Sequence, residues 1–171
     1  MPELKSIQHE AIPAAIEKAV RYRLLNEPRE AESICRDVLR ADAENQDALA
    51  HLLLALTDQF GREFGVDLQK AQEILPRFHG MYERAYYAGV ILERWGKAML
   101  SKGAAGYAAL DWIRQAMKSY EQAEALRPPD NDDAILRWNT CARVLNRDDR
   151  LGPAPAGAAG EHDFGDEVPM I

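Results

Sequence analysis

Residues 116–128 read AMKSYEQAEALRP. A helix turns once every 3.6 residues, so steps of four and then three put Ala116, Tyr120 and Ala123 on one narrow face. Small side chains at two of the three places let a second helix approach closely, while the tyrosine ring fills the space beside them. Pro128 cannot continue the helix and ends it.

The same spacing recurs upstream. In AESICRDVLRADAENQ, residues 31–46, Ala31, Cys35 and Val38 repeat the step, with Ala43 in the place that Pro128 holds later. In LQKAQEILPRFHG, residues 68–80, Ala71, Leu75 and Phe78 show it again, although Pro76 should shorten or kink that helix. Each of these segments follows another with an apolar face. Ala19 and Tyr22, then Leu24 and Leu25, precede the first copy, with NEP at residues 26–28 as the turn and Pro28 suited to a first helical position. Leu49, Leu52, Leu53 and Leu56 precede the second in the i, i+3, i+4, i+7 stripe of an amphipathic helix. Ala85, Ala88, Gly89 and Leu92 precede the third with the same offsets. Helix pairs that recur in this way predict a stacked array, since no pair buries its surface alone.

Bulk properties agree with an all-α chain. Of 171 residues, 47% are hydrophobic and 29% charged, enough for one domain with its own core. Ala, Leu, Glu, Arg and Gln dominate long segments while Val, Ile and Thr are few. The formal net charge is -7, of which Glu161, Asp163, Asp166 and Glu167 carry four, leaving about -3 on the rest. Without a basic stripe, no binding to nucleic acid is expected. Charges are scattered through the first twenty residues and no run of about 18 apolar residues occurs. No membrane insertion and a cytoplasmic location are therefore expected. Cys35 and Cys141 share no metal-type spacing and are expected to be small buried thiols rather than a disulfide.

On Ala19 with Tyr22, on Ala31, Cys35 and Val38, and on Ala116, Tyr120, Ala123 and Pro128, the chain resembles the tetratricopeptide repeat family, whose unit is a helix-turn-helix of about 34 residues. The resemblance covers roughly residues 12–147 and is degenerate in the middle. From Leu53 to Ala71 the chain runs six residues longer than the family spacing, and from Gly89 to Ala116 fifteen longer. The third pair is thus expected to have extended helices, about 82–101 and 105–126, joined by SKGAAG. The implied fold is a short α-solenoid of antiparallel helix pairs in a right-handed superhelix. Residues 1–11 form a lead-in, 12–147 the helical domain and 148–171 an Ala/Gly/Pro-rich acidic tail. Ile135, Trp138 and Ala142 stand at helical spacing in an expected capping helix, with Arg137, Arg143 and Arg147 on its polar outer side.

Candidates for chemistry are few. His9, His51, His79 and His162 are isolated, without the spacing of a zinc site, and are read as solvated or hydrogen-bonded. EHDFGDE at 161–167 clusters one histidine with four carboxylates and is read as a solvated tail rather than an ion site. FGREFG at 60–65 and GAAG at 103–106 are read as connections; the latter lacks the Lys and Ser or Thr of a phosphate loop. No catalytic residue, metal or cofactor is assigned. Helical phase sets Tyr82 and Tyr86 on one side of their helix and Tyr87 on another.

The resemblance implies a protein or peptide ligand held in a concave groove lined by the first helix of each pair. Carried over by phase, it points to Arg23, Asp47, Leu54, Asp58, Tyr86, Glu93 and Arg94. Positions where some family members hold a carboxylate clamp carry Ile16, Val20, Ala50 and Leu54, which disfavours that clamp and favours an apolar or amphipathic segment. The expected function is a non-catalytic interaction module, an adaptor, scaffold or chaperone. The alternatives are a structural subunit in which the third pair and Trp138 face a second copy, and a helical-bundle enzyme.

Overall fold

The structure is a computed structural model that describes residues 2–62, 65–103 and 106–147. The expected tail with its EHDFGDE cluster, Glu63 and Phe64 of FGREFG, and Ala104 and Ala105 of GAAG lie outside the described residues. Among those described there are seven α-helices and no strand: α1 (Ile12–Leu24), α2 (Pro28–Ala41), α3 (Gln46–Thr57), α4 (Leu68–Gln72), α5 (Met81–Ser101), α6 (Gly106–Leu126) and α7 (Asp133–Arg147).

Local chemistry sets the boundaries. Asn26 adopts a left-handed φ of 63°, a conformation that asparagine tolerates better than most residues. The amide of Glu27 then donates to Tyr22 O at 2.9 Å and that of Asn26 to Arg23 O at 3.0 Å, closing α1 in a Schellman motif. Pro28, which lacks the amide that a first turn leaves unpaired, opens α2 as its spacing predicts. Asn45 caps α3 by accepting from the Ala48 amide at 2.9 Å, and Asp67 caps α4 by accepting from Lys70 at 2.9 Å. Pro76 acts as its chemistry requires: α4 stops after five residues and the chain continues as a 3₁₀ turn, Leu75–Arg77.

Packing follows the expected faces in most places. Ala31, Cys35, Val38, Ala116, Tyr120 and Ala123 are all fully buried, as is the stripe Leu49, Leu53 and Leu56, with Leu52 at 1%. Each such leucine contributes on the order of 1.5–3 kcal/mol. The α5–α6 hairpin is the most extensive contact, and α1 packs on α2, α2 on α3 and α6 on α7. Alternate helices also meet: α1 touches α3, α3 touches α5 and α5 touches α7.

The α5–α6 contact shows why small residues are needed on both sides. A Cβ at Gly89 would lie 2.5 Å from Cε1 of Tyr120, and one at Gly96 would lie 2.8 Å from the backbone oxygen of Ala109. The two glycines stand two turns apart on one face of α5, so the helices meet through them.

Several expectations are corrected. Leu24 and Leu25 do not join the core; they are 83% and 60% exposed, because α1 ends there and the chain turns outward. Ile74, not Leu75, is buried beside Phe78, because the 3₁₀ turn at Pro76 breaks the 3.6-residue period. In α7 the buried positions are Ala134 and Cys141, while Ile135, Trp138 and Ala142 are only half-buried. That rotation turns Arg137 inward, whereas Arg143 and Arg147 are exposed. Cys35 and Cys141 are buried free thiols.

Candidate functional site

The seven residues set on one surface by phase divide into two linked clusters, with one left apart. The first is centred on Asp58, which follows the last turn of α3. Arg23, in the last turn of α1, donates from Nε to its Oδ2 at 2.8 Å. Arg94 of α5 pairs with its Oδ1 and also donates to Thr57 Oγ1 at 2.8 Å and to the backbone oxygen of Leu54 at 3.2 Å. Arg62 donates to the Asp58 backbone oxygen at 2.9 Å and bonds Asn26. Three helices, α1, α3 and α5, are thus joined by guanidinium groups around one carboxylate. Burial pulls the Arg94 guanidinium below its usual range against the opposing pull of Asp58, yet an arginine stays charged there.

The second cluster is centred on Glu93 of α5. Phase arithmetic faces this residue to the groove; the structure corrects that, because its side chain is fully buried between α5, α6 and α7. Tyr120 donates its hydroxyl to Glu93 Oε2 at 2.6 Å. Lys97, one turn along α5, pairs with Oε1, and Arg137 of α7 donates to the same oxygen at 3.5 Å. A charge with this little exposure needs several partners, and these three supply them. Beside this cluster the ring of Tyr86 stacks on Tyr82 at 5.8 Å and tilts against Tyr120 at 6.0 Å. Tyr87 leaves on the other side, as its phase predicts, to stack on Phe78 at 4.7 Å.

Asp47 is the residue left apart. It is exposed in the first turn of α3, one turn before His51. Burial and the charge of Arg23 hold the His51 imidazole below its ordinary value, with Asp47 opposing them. Its Nδ1 is buried and has no hydrogen-bond partner among the described residues. His79 instead shares a 2.8 Å bond with Glu44.

Adjacent residues on one helix therefore serve opposite sides: Arg94 reaches back to α1 and α3, and Glu93 reaches forward to α6 and α7. Val20 and Leu54, both half-buried, adjoin the first cluster, Val20 lining a cleft with Arg23 and Asp58 and Leu54 accepting from Arg94 through its backbone oxygen; Ile16 and Ala50, also half-buried, stand one turn earlier on α1 and α3. Val20, Leu24 and Pro28 wall a cleft of about 240 Å³ whose polar lining includes Arg23, Asp58 and Arg62. Lys97, Arg137, Arg62 and Thr57 were not among the residues chosen from sequence. For Lys97 a signal existed, its i, i+4 relation to Glu93.

Both carboxylates are occupied by cations, which suits presenting charge and fixing helices. The remaining thiols are pushed up by burial, Cys35 to about 11 and Cys141 to about 12. Among the described residues no three His, Cys, Asp or Glu side chains gather to hold a metal ion, and no helix is long and apolar enough to cross a membrane. Trp138 packs against the core and donates from its indole nitrogen to Glu121 at 3.0 Å. Comparison with family models, with curated proteins and with solved structures finds no match to this chain.

Proposed function

We propose that this chain is a polypeptide-binding module that performs no reaction of its own. In this reading it is a short right-handed stack of tetratricopeptide-like helix pairs, acting as an adaptor, scaffold or chaperone. The surface of α1, α3, α5 and α7 receives the partner. The observation that supports it is the Arg23–Asp58–Arg94 bridge, which ties three alternate helices into one surface and leaves its side chains 17–25% exposed beside half-buried Ile16, Val20, Ala50 and Leu54. Rigid, partly exposed side chains on a pre-formed surface lose little entropy on binding.

The reading is tested by affinity capture with three forms of the full chain: wild type, Ala50→Glu on α3, and Arg40→Glu on the exposed side of α2. A protein retained by wild type and by Arg40→Glu but lost by Ala50→Glu supports it. Equal retention by all three, or turnover of a metabolite by material that retains no protein, contradicts it.

A further inference from the structure

Charge is distributed unevenly over this surface. Arg62, Arg23 and Arg94 gather on Asp58, and Lys97 and Arg137 on Glu93, so that among the described residues two acidic residues bond five cations. Of the two carboxylates, Glu93 is withdrawn from solvent while Asp58 is exposed to about the same degree as its arginines. The side chains of Arg23, Arg94, Lys97 and Arg137 keep 17%, 21%, 37% and 33% of their area in solvent and Arg62 is exposed, whereas Glu93 keeps none and Asp58 25%. A ligand therefore meets an excess of cations on a chain whose formal net charge is -7.

Nearby acids lie at the margins. Asp47 is eleven residues from Asp58, about 16 Å along α3. Asp133 opens α7, one turn before Arg137. Glu27 and Glu30 line an adjoining cleft, which also includes Arg62.

We propose that this band of cations, with the apolar shoulder of Ile16, Val20, Ala50 and Leu54, selects a partner segment in which carboxylates alternate with apolar side chains. The inference rests on the polypeptide-binding reading above and narrows it to one chemistry. The charge complementarity supplies encounter rate and orientation, and the shoulder supplies contact area.

The test uses the full chain and three fluorescein-labelled decapeptides of matched apolar content, (Glu-Leu)5, (Gln-Leu)5 and (Lys-Leu)5, with a ten-residue oligothymidine as a fourth probe, read by anisotropy. The proposal predicts that (Glu-Leu)5 binds at least about tenfold more tightly than the others at 0.05 M salt and loses that advantage at 0.5 M, where screening is short-ranged. Arg62→Gln, on an exposed side chain, should weaken it by about three- to fivefold, the effect of one close charge in water.

Equal binding of (Glu-Leu)5 and (Gln-Leu)5 would overturn the charge selectivity and leave the polypeptide-binding reading standing. Failure of every peptide would count against both. Tighter binding of the oligothymidine would assign the band to nucleic acid instead. Displacement of (Glu-Leu)5 by a peptide of residues 155–171 at lower concentration than by unlabelled (Glu-Leu)5 would assign it to the chain's own tail and overturn a partner as occupant.

Discussion

Tyr120 of α6 donates its hydroxyl to Glu93 of α5 across 2.6 Å, and neither side chain reaches solvent. The aromatic ring set between Ala116 and Ala123 thus does two jobs. Its edge lies over Gly89, and its hydroxyl helps to hold the one fully buried charge among the described residues.

Tyr120→Phe removes that donor and leaves the carboxylate short of a partner, at a cost of about 1.5–3 kcal/mol for a hydrogen bond to a charged group. Glu93→Ala is expected to cost about 1–3 kcal/mol, since it leaves the buried tyrosine hydroxyl unpaired, whereas Lys97 and Arg137, each about a third exposed, turn to water. A urea-unfolding double-mutant cycle measures both, and the pair should couple rather than add. Burial and the Glu93 charge also raise the Tyr120 phenol far above its ordinary 10.0. A raised acid favours the folded state below the unfolded value, so stability from this site is lost as pH climbs above 10, and ultraviolet titration should show one tyrosine ionising only with unfolding.

Replacing the contact glycines of α5 separates helix propensity from packing. Alanine is favoured over glycine in a helix by about 1 kcal/mol. At Gly89 the new Cβ meets a side-chain ring, whereas at Gly96 it meets the backbone of α6, which cannot swing away. Gly96→Ala is therefore expected to be the more damaging, with overpacking of about 1–3 kcal/mol outweighing the propensity gain. Ala123→Leu, at a fully buried position, should cost a similar amount. Thermal unfolding by circular dichroism ranks the three.

Acid should destabilise the fold in two steps. Burial and Arg23 depress the His51 imidazole below 6.5, so the unfolded chain binds its proton first. Stability is full above pH 6.5 and falls as pH drops through the folded value. Burial alone would raise the Glu32 carboxyl, but hydrogen bonds from Gln59 and Arg36 and the charges of Arg36 and Lys70 hold it below 4.5. Its contribution is present above pH 4.5 and lost below. The urea midpoint should decline in both windows, and His51→Gln should flatten the upper one alone.

The two thiols should be inert while the chain is folded. With Cys35 at about 11 and Cys141 at about 12 against an ordinary 9.0, the thiolate at pH 8 is scarce. Reaction with a disulfide reagent should be at least about a hundredfold slower than in denaturant. Fast reaction of one thiol in the native state would show that its helix opens.

Helix faces built on repeated local spacing were legible from sequence. Ala31, Cys35 and Val38 are buried where their spacing sets them, because that signal lies within a few residues, and the long helices of the third pair follow from the extra length between Gly89 and Ala116. Glu93 was not legible in this way. Phase faces a carboxylate to the groove, and what reverses that is a tyrosine hydroxyl 27 residues away and a guanidinium 44 residues away on α7, whose buried face lies one position from the expected one. Likewise the Arg23–Asp58–Arg94 bridge joins residues chosen singly; that they share one carboxylate depends on how α1, α3 and α5 come together.

The central claim, that the α1, α3, α5 and α7 surface receives a polypeptide, is tested most directly by amide hydrogen exchange of the full chain with and without its purified partner. Slowed exchange concentrated in α1, α3 and α5, around Val20, Leu54 and Arg94, is the predicted result. Protection confined to α2 and the exposed side of α6, with no change around those residues, would contradict it.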